Sequence, residues 1–406
     1  IIWRRMAALL AVFHALPRVC GFVCGVAALH RLLPAWHTTG YACASDGAPL
    51  RYRLNGLLVL IATAAGWAAL QPHHASDAAV HWWAYWAAAH VVGLGASAAV
   101  FAMTWSDREL PLRSLTSDQK QLCERAARGE NVQSLLPPAP HRSLAAHFFF
   151  GFKFNPRLGQ VDLKMLCYTI GACGLLWNLL SGAALRLSMH GSLSLAFWTY
   201  GACLVWFIVD YMLFEFVHLY TYDTFAEKLG FKIVWGCFAW YPFYYCSGMW
   251  PVITARPHVD IQMGICYIIA IIYLLGWVLT RGANLQKYIH KITSGRDHQH
   301  STLGRYILPM RVVPGTPLLC GAFWGVSRHV NYLGEIIQAV ALALPGSLVA
   351  QSWPEALLPW AYPIYYVAIL IPRQHDDDDL LRCKYGDAVF RLYSEAVPYR
   401  IVPGVW

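Results

Sequence analysis

The chain has 406 residues, of which 57% are hydrophobic and only 13% charged, with a mean hydropathy of +0.41. Soluble domains average about 25% charged residues, so too little polar surface is present to cover a water-soluble globule of this size. The net charge of +9 is modest and its basic residues gather in a few stretches. That argues against nucleic acid as a partner and for anionic lipid headgroups or a phosphorylated cofactor.

A membrane span needs roughly 20 apolar residues. The first stretch, residues 6–33, is interrupted by Arg18 and Arg31 but is long enough for one span. Residues 57–70, 79–106, 165–185, 187–209, 233–255, 261–280, 336–354 and 356–372 contain no Asp, Glu, Lys or Arg. The expectation is an all-α, polytopic membrane protein with about eight to ten transmembrane helices, built as a single membrane domain over residues 1–406. The apolar runs are continuous and not alternating, which excludes a transmembrane β-barrel. Between the spans, residues 107–142 mix both charge signs with Pro137, Pro138 and Pro140 and read as an extramembranous connection. Residues 281–311 carry six Lys/Arg against one Asp, which places them on the cytosolic side by the positive-inside rule. The charged tail, residues 373–406, follows the last span and is expected on the same face.

The 18 Trp and 22 Tyr suit bilayer interfaces, where an apolar ring with one polar handle sits well. The 12 cysteines are scattered, many inside apolar runs (Cys167, Cys173, Cys203, Cys266). No CxxC pair has a matching second pair, so they read as reduced, buried small residues, and no metal site is expected. The chain opens without Met inside a hydrophobic stretch. The N-terminus is therefore expected to be incomplete, and no cleavable leader followed by a soluble domain is read.

Three elements carry polar chemistry. The first is GVSRHVNYLG, residues 325–334, where Arg328, His329, Asn331 and Tyr332 fall within five residues at the mouth of an apolar helix. Polar groups at such depth are costly unless they have partners; the plainer reading is an interfacial anchor for a helix end. The second is NLQKYIHK, residues 284–291. Lys287 and Lys291 are four apart and share a helix face, which suits a phosphate, although positive-inside topology explains them equally simply. The third is the tail, with four adjacent carboxylates at Asp376 to Asp379, then RCKYGD at residues 382–387, Tyr393, and VPYR at residues 397–400. Adjacent carboxylates repel and need cations, and Arg373, Arg382 and Lys384 are near in sequence. A solvated acidic patch is the usual fate of such a run.

In this order, and separated by apolar spans, these elements resemble the sterol reductase family. The family's tail reads approximately HRxxRDExRCxxKYGxxWxxYxxxVPYRxxPGxx; here it reads PRQHDDDDLLRCKYGDAVFRLYSEAVPYRIVPGVW. Upstream, GFKFNPRLG (residues 151–159) is similar to the family's G-x-E-x-NPR-x-G, with Lys153 in place of the Glu, and residues 233–250 to its WGD-xx-W-x-P-x-x-Y segment. Several long motifs in order are far more specific than one short pattern. The resemblance implies NADPH-dependent reduction of a sterol ring double bond in the endoplasmic reticulum membrane. Its partners would be a sterol, membrane lipid and other enzymes of sterol biosynthesis. FNPRLG, Ser247-Gly248-Met249 and the Asp run lean to reduction of the Δ7 bond, as in 7-dehydrocholesterol reductase, and GAN-x-QK (residues 282–287) leans to the Δ14 bond; on balance the motifs favour Δ7 as the expected bond, with Δ14 as the alternative.

By this resemblance residues 281–406 hold the cofactor and residues 1–250 face the sterol. Lys287 and Lys291 would hold phosphates, and Leu319 and Trp324 would line the nucleotide. Asn331 and Tyr332 would meet the diphosphate or nicotinamide, with Arg328 and His329 as neighbours. Asp377, Leu381, Arg382, Cys383, Lys384, Tyr385 and Tyr393 would complete the site. The candidate proton donors are Tyr245, which aligns with the family's pocket tyrosine, and Asp210 and Glu215, which sit within or beside an apolar span. Burial there would raise a carboxyl pKa and keep its proton available. A paired structural carboxylate is an equal reading for Glu215. Outside this class, RHxxY also occurs, as RHPxY, in membrane methyltransferases that use S-adenosylmethionine, but Val330 stands where that proline would be. A sterol-binding protein without catalysis is a further alternative. The HxxHH clusters of a di-iron desaturase are missing.

Overall fold

The computed structural model describes residues 2–43, 49–70, 72–105, 143–225, 227–293 and 310–405. The connection expected at residues 107–142 and most of the basic stretch lie outside the described residues. Six described helices are long and apolar enough to cross a membrane. The chain divides into two compact units. Among the described residues, one comprises those within 2–105, 143–262 and 345–359, and the other those within 263–344 and 360–405.

In the first unit, α1 (Ile2–Leu32) packs on α3 (Trp82–Met103) through small residues, Ala15 against Ala84 and Ala88. Small side chains let two apolar helices approach closely. Arg18 on α1 pairs with Asp77 at 2.7 Å. Between α1 and α2 (Gly56–Ala68) the chain makes an antiparallel pair, β1 (Trp36–Cys43) and β2 (Pro49–Leu54), in register from Trp36 opposite Leu54 to Thr39 opposite Arg51. This hairpin was not expected. It is too short and too polar to register as a span.

The centre of this unit is α4 (Leu163–His190), followed by α5 (Leu195–Leu213). Asp162 accepts from the backbone N–H groups of Lys164 and Met165, both at 3.1 Å, and so caps α4. Two fully buried cations mark its ends. Lys164 donates to the carbonyls of Asp223 (2.7 Å), Thr224 (3.3 Å) and Glu227 (2.5 Å). Arg186 donates to those of Val252 (2.6 Å), Ile253 (3.0 Å) and Ala255 (3.1 Å). Each cation satisfies carbonyls that a non-helical or terminating backbone would leave orphaned. The NPR motif has the same kind of role. Asn155 donates to the Thr224 carbonyl at 3.1 Å, and Arg157 donates to that of Arg51 at 2.6 Å and lies 3.6 Å from Asp162. It is seated in a short hairpin, β3 (Arg157–Leu158) with β4 (Val161–Asp162).

The apolar run at residues 233–255 is not one straight span. It divides into Phe231–Trp235, a π-turn at Gly236–Trp240, Tyr241–Tyr244 and Met249–Thr254. The π-turn widens the coil from Gly236, Pro242 takes the first turn of the next piece, where its missing N–H is tolerated, and the helix is interrupted at residues 245–248. Asn178 on α4 donates to the Pro242 carbonyl at 2.9 Å, which satisfies one acceptor exposed by the break.

In the second unit, α6 (Met263–Ile292) crosses α7 (Val330–Val349) at two glycines. A Cβ on Gly276 would lie 2.7 Å from the Gly334 carbonyl oxygen. Thr280 donates to the Asn331 carbonyl at 3.1 Å across the same crossing. Next come α8 (Ala361–Tyr385) and α9 (Asp387–Ala396). The apolar stretch at residues 356–372 thus begins its helix later and runs further than its composition indicates. It passes through Pro372 and continues across the whole acidic run.

Candidate active site

Successive residues on an α-helix point about 100° apart. Because Asp376 to Asp379 are helical, they cannot face one way. Asp376 and Asp379 are exposed, Asp377 is half-buried and Asp378 is buried. The run is therefore not a uniformly solvated patch. The helix separates its like charges and turns two carboxylates toward the start of α7.

There they meet the residues of the first motif. Tyr332 donates its hydroxyl to Asp377 Oδ2 at 2.6 Å, and its ring stacks on that of His329 with centroids 5.1 Å apart. His329 lies between the two carboxylates, Nδ1 3.6 Å from Asp377 and Nε2 3.6 Å from Asp378. Arg328 and Arg400 each approach Asp378 Oδ2 at 3.5 Å, and Gln374 Nε2 donates to it at 2.8 Å. Burial pushes the Asp378 carboxyl up, but the hydrogen bond from His329 and the charges of Arg328, His329 and Arg400 outweigh it and hold the pKa below the usual carboxylate range. Tyr393 is buried beside this cluster, packed with Val313, Val397 and Leu381. Burial pushes its phenol pKa up.

A second group forms on α6. Leu319, Trp324, Ala283 and Val330 share one apolar cluster. Trp324 Nε1 donates to the Ala283 carbonyl at 2.9 Å, and Lys287 Nζ lies 5.5 Å over the Trp324 ring. Lys291 is one turn further along α6 and half-buried, as is Tyr385 at the end of α8. Arg382 turns outward, 3.3 Å from Asp379 and over the Phe390 ring. Cys383 and Lys384 belong to α8, and their side chains lie outside the described set.

Of the candidates in the second unit, the structure therefore brings together Arg328, His329, Tyr332, Asp377, Leu381 and Tyr393, and separately Lys287, Leu319 and Trp324. The donor set fits a phosphorylated dinucleotide. Two lysines lie on α6, and the Trp324 face packs against that helix from the turn Phe323–Val326. Asn331 Oδ1 and Arg328 Nε are buried and have no hydrogen-bond partner among the described residues. Such atoms in a native fold point to an occupant, water or ligand. The sequence reading passed over Asp378, Gln374 and Arg400. VPYR was noted as a motif, but only the fold shows that its arginine returns to the acidic run.

The proton-donor candidates lie in the first unit. Tyr245 follows the turn Tyr241–Tyr244, its ring 4.8 Å from that of Tyr241, and its backbone carbonyl accepts from the Tyr200 hydroxyl at 3.5 Å. Asp210 is half-buried on α5. Glu215 is buried just beyond α5, and its Oε2 accepts from the Gly56 N–H at 2.9 Å, at the start of α2. That is the position of a helix cap. Burial pushes the Glu215 carboxyl up to about 7, opposed by this hydrogen bond. It lines an apolar cavity of about 340 Å³ with Trp36, Leu58, Met212 and Phe216, and Tyr245 is not in that lining.

Comparison with known proteins accords with these motifs. The Ergosterol biosynthesis ERG4/ERG24 family pattern matches residues 14–406. The Delta(14)-sterol reductase of Arabidopsis thaliana is 30% identical over 371 residues, covering 89% of this chain and 88% of the relative. The Delta(14)-sterol reductase TM7SF2 of Mus musculus is 30% identical over 92% of this chain and 82% of its own. The Delta(14)-sterol reductase of Dictyostelium discoideum is 33% identical over 64% of this chain, which spans 56% of that longer protein. With its motifs in order, its helical membrane architecture and a family match over nearly its whole length, the chain belongs to the ERG4/ERG24 family of sterol reductases.

Proposed function

We propose that this protein reduces a sterol ring double bond with NADPH, and that the bond is the Δ14 bond. The relatives reported above carry that name, and GAN-x-QK at residues 282–287 agrees with it. The Δ7 bond is the second reading. It is favoured by FNPRLG, by Ser247-Gly248-Met249 and by the Asp run. The observation that carries the proposal is the meeting of His329 and Tyr332 with Asp377, next to Arg328, together with the pairing of Lys287 on α6 with the Trp324 ring.

An isolated ring alkene resists hydride until it is protonated. When bound, NADPH supplies the hydride; the protein supplies orientation, a proton and exclusion of water. Lys287 and Lys291 are assigned to phosphate, Leu319 and Trp324 to the nucleotide wall. Asn331, with its open carbonyl oxygen, and Tyr332 are assigned to the diphosphate or nicotinamide. Asp377, residues 381–385 and Tyr393 complete this half, residues 281–406, while residues 1–250 face the sterol. Tyr245 is the assigned proton donor. Glu215 and Asp210 are second, because the Glu215 carboxylate is already engaged at Gly56. The endoplasmic reticulum membrane is the assigned location, where the substrate is already dissolved in lipid.

Purified protein incubated with NADPH and a panel of Δ14, Δ7 and Δ24(28) sterols, read by mass spectrometry, tests this. The Δ14 sterol should be reduced, and Lys287→Ala or Tyr332→Ala should lower turnover by at least about tenfold. Reduction of the Δ7 sterol alone would transfer the assignment to the second reading. Binding of S-adenosylmethionine but not NADPH would defeat it altogether.

A further inference from the structure

Asp378 and Asp377 are neighbours in sequence with opposite surroundings. Asp377 is half-buried and takes the Tyr332 hydroxyl. Asp378 is 2% exposed and is approached by four donors, Gln374, Arg328, Arg400 and His329. These come from three places in the chain, namely α8 itself, the turn before α7, and the C-terminal segment. The backbone repeats the link between the last two. The Arg328 N–H donates to the Tyr399 carbonyl at 2.9 Å and the His329 N–H to that of Arg400 at 2.8 Å. The Arg328 guanidinium adds bonds to the carbonyls of Val397 (3.0 Å) and Pro398 (3.2 Å). The segment is thereby laid along the turn as a strap, and both arginines converge on the Asp378 carboxylate.

We infer that Asp378 is a positioning residue, which locks the strap at residues 397–400 onto the Arg328–His329 turn and so holds His329 and Tyr332 in place for the cofactor. The second half of this statement rests on the proposed function; the lock itself does not. A buried carboxylate is tolerated when its charge is compensated. Removing it takes away the buried counter-charge that both guanidinium groups approach. The strap is then the part that can move, because Arg400 is the more exposed of the two arginines. His329 loses one of its two carboxylate neighbours, and the ring that stacks on Tyr332 is no longer held from behind.

Asp378→Asn in the full chain tests this, since it keeps the size and still accepts from Gln374 while losing the charge. Amide hydrogen exchange at residues 397–401 should speed up. The NADPH KM should rise by at least about tenfold, with kcat at saturating NADPH nearly unchanged. Asp378→Glu should recover both. If Asp378→Asn does not fold, Arg400→Gln removes the charge from the strap side and should raise exchange over the same residues. Unaltered exchange in the folded variant, or a fall in kcat at constant KM, would overturn the inference. Wild-type protein that binds no NADPH would defeat the reading of the site, and the exchange measurement would still decide the lock.

Discussion

Glu215 shows how one side chain can serve the fold and still retain a chemical option. Its carboxylate receives the Gly56 N–H, and a Cβ on Gly56 would fall 2.6 Å from its Oε1, so nothing larger than glycine starts α2. Its folded pKa of about 7 stands above the ordinary carboxyl value of 4.5. Between those two values the folded chain keeps a proton that the unfolded chain has released. The contribution of Glu215 to stability therefore falls as pH rises from about 4.5 to 7 and stays low above that. The gap is equivalent to about 3 kcal/mol. Thermal unfolding in detergent at pH 5 and pH 8 should show Glu215→Gln flattening this slope; parallel curves for the variant and the wild type would remove Glu215 from the account. Asp377 and Asp378 make the complementary point. Sequence presents them as two of four equivalent acids, and one step of helical rotation gives them separate partners.

At the scale of elements, the spans were legible wherever an apolar run was long and free of glycine and proline pairs. α4, α5 and α6 follow from composition alone. The run at residues 233–255 has the composition of a span, but a π segment at Gly236–Trp240 and an interruption at residues 245–248 make it irregular. The α6–α7 crossing depends on Gly276 and Gly334, which sequence reading did not single out. Glycine matters there for close approach, since a side chain at position 276 would meet the Gly334 oxygen at 2.7 Å and the Gln338 N at 2.9 Å. Gly276→Val is expected to destabilise the protein by about 1–3 kcal/mol through overpacking. The effect should appear as a lowered melting temperature in detergent and lost NADPH binding, since the same crossing carries Asn331. A variant that melts with the wild type would show that the helices can separate at no cost.

For the whole molecule, hydropathy and charge speak to the membrane and its orientation. Residues 281–311 carry six Lys/Arg against one Asp and are expected to face the cytosol. In sealed microsomes, protease added from outside should cut within this basic stretch; its protection until the vesicles are opened would reverse the orientation. Sequence by itself determined the membrane class, the family and the list of cofactor-side candidates, because each of these depends on local composition or on motif order. Only the tertiary structure decided which carboxylate of the acidic run is buried, that Arg400 returns to it, and that Arg186 and Lys164 serve carbonyls at the ends of α4. Those are pairings between residues distant in sequence. Each is settled by whether a buried charge or orphaned carbonyl finds a partner, and no local pattern along the chain records that.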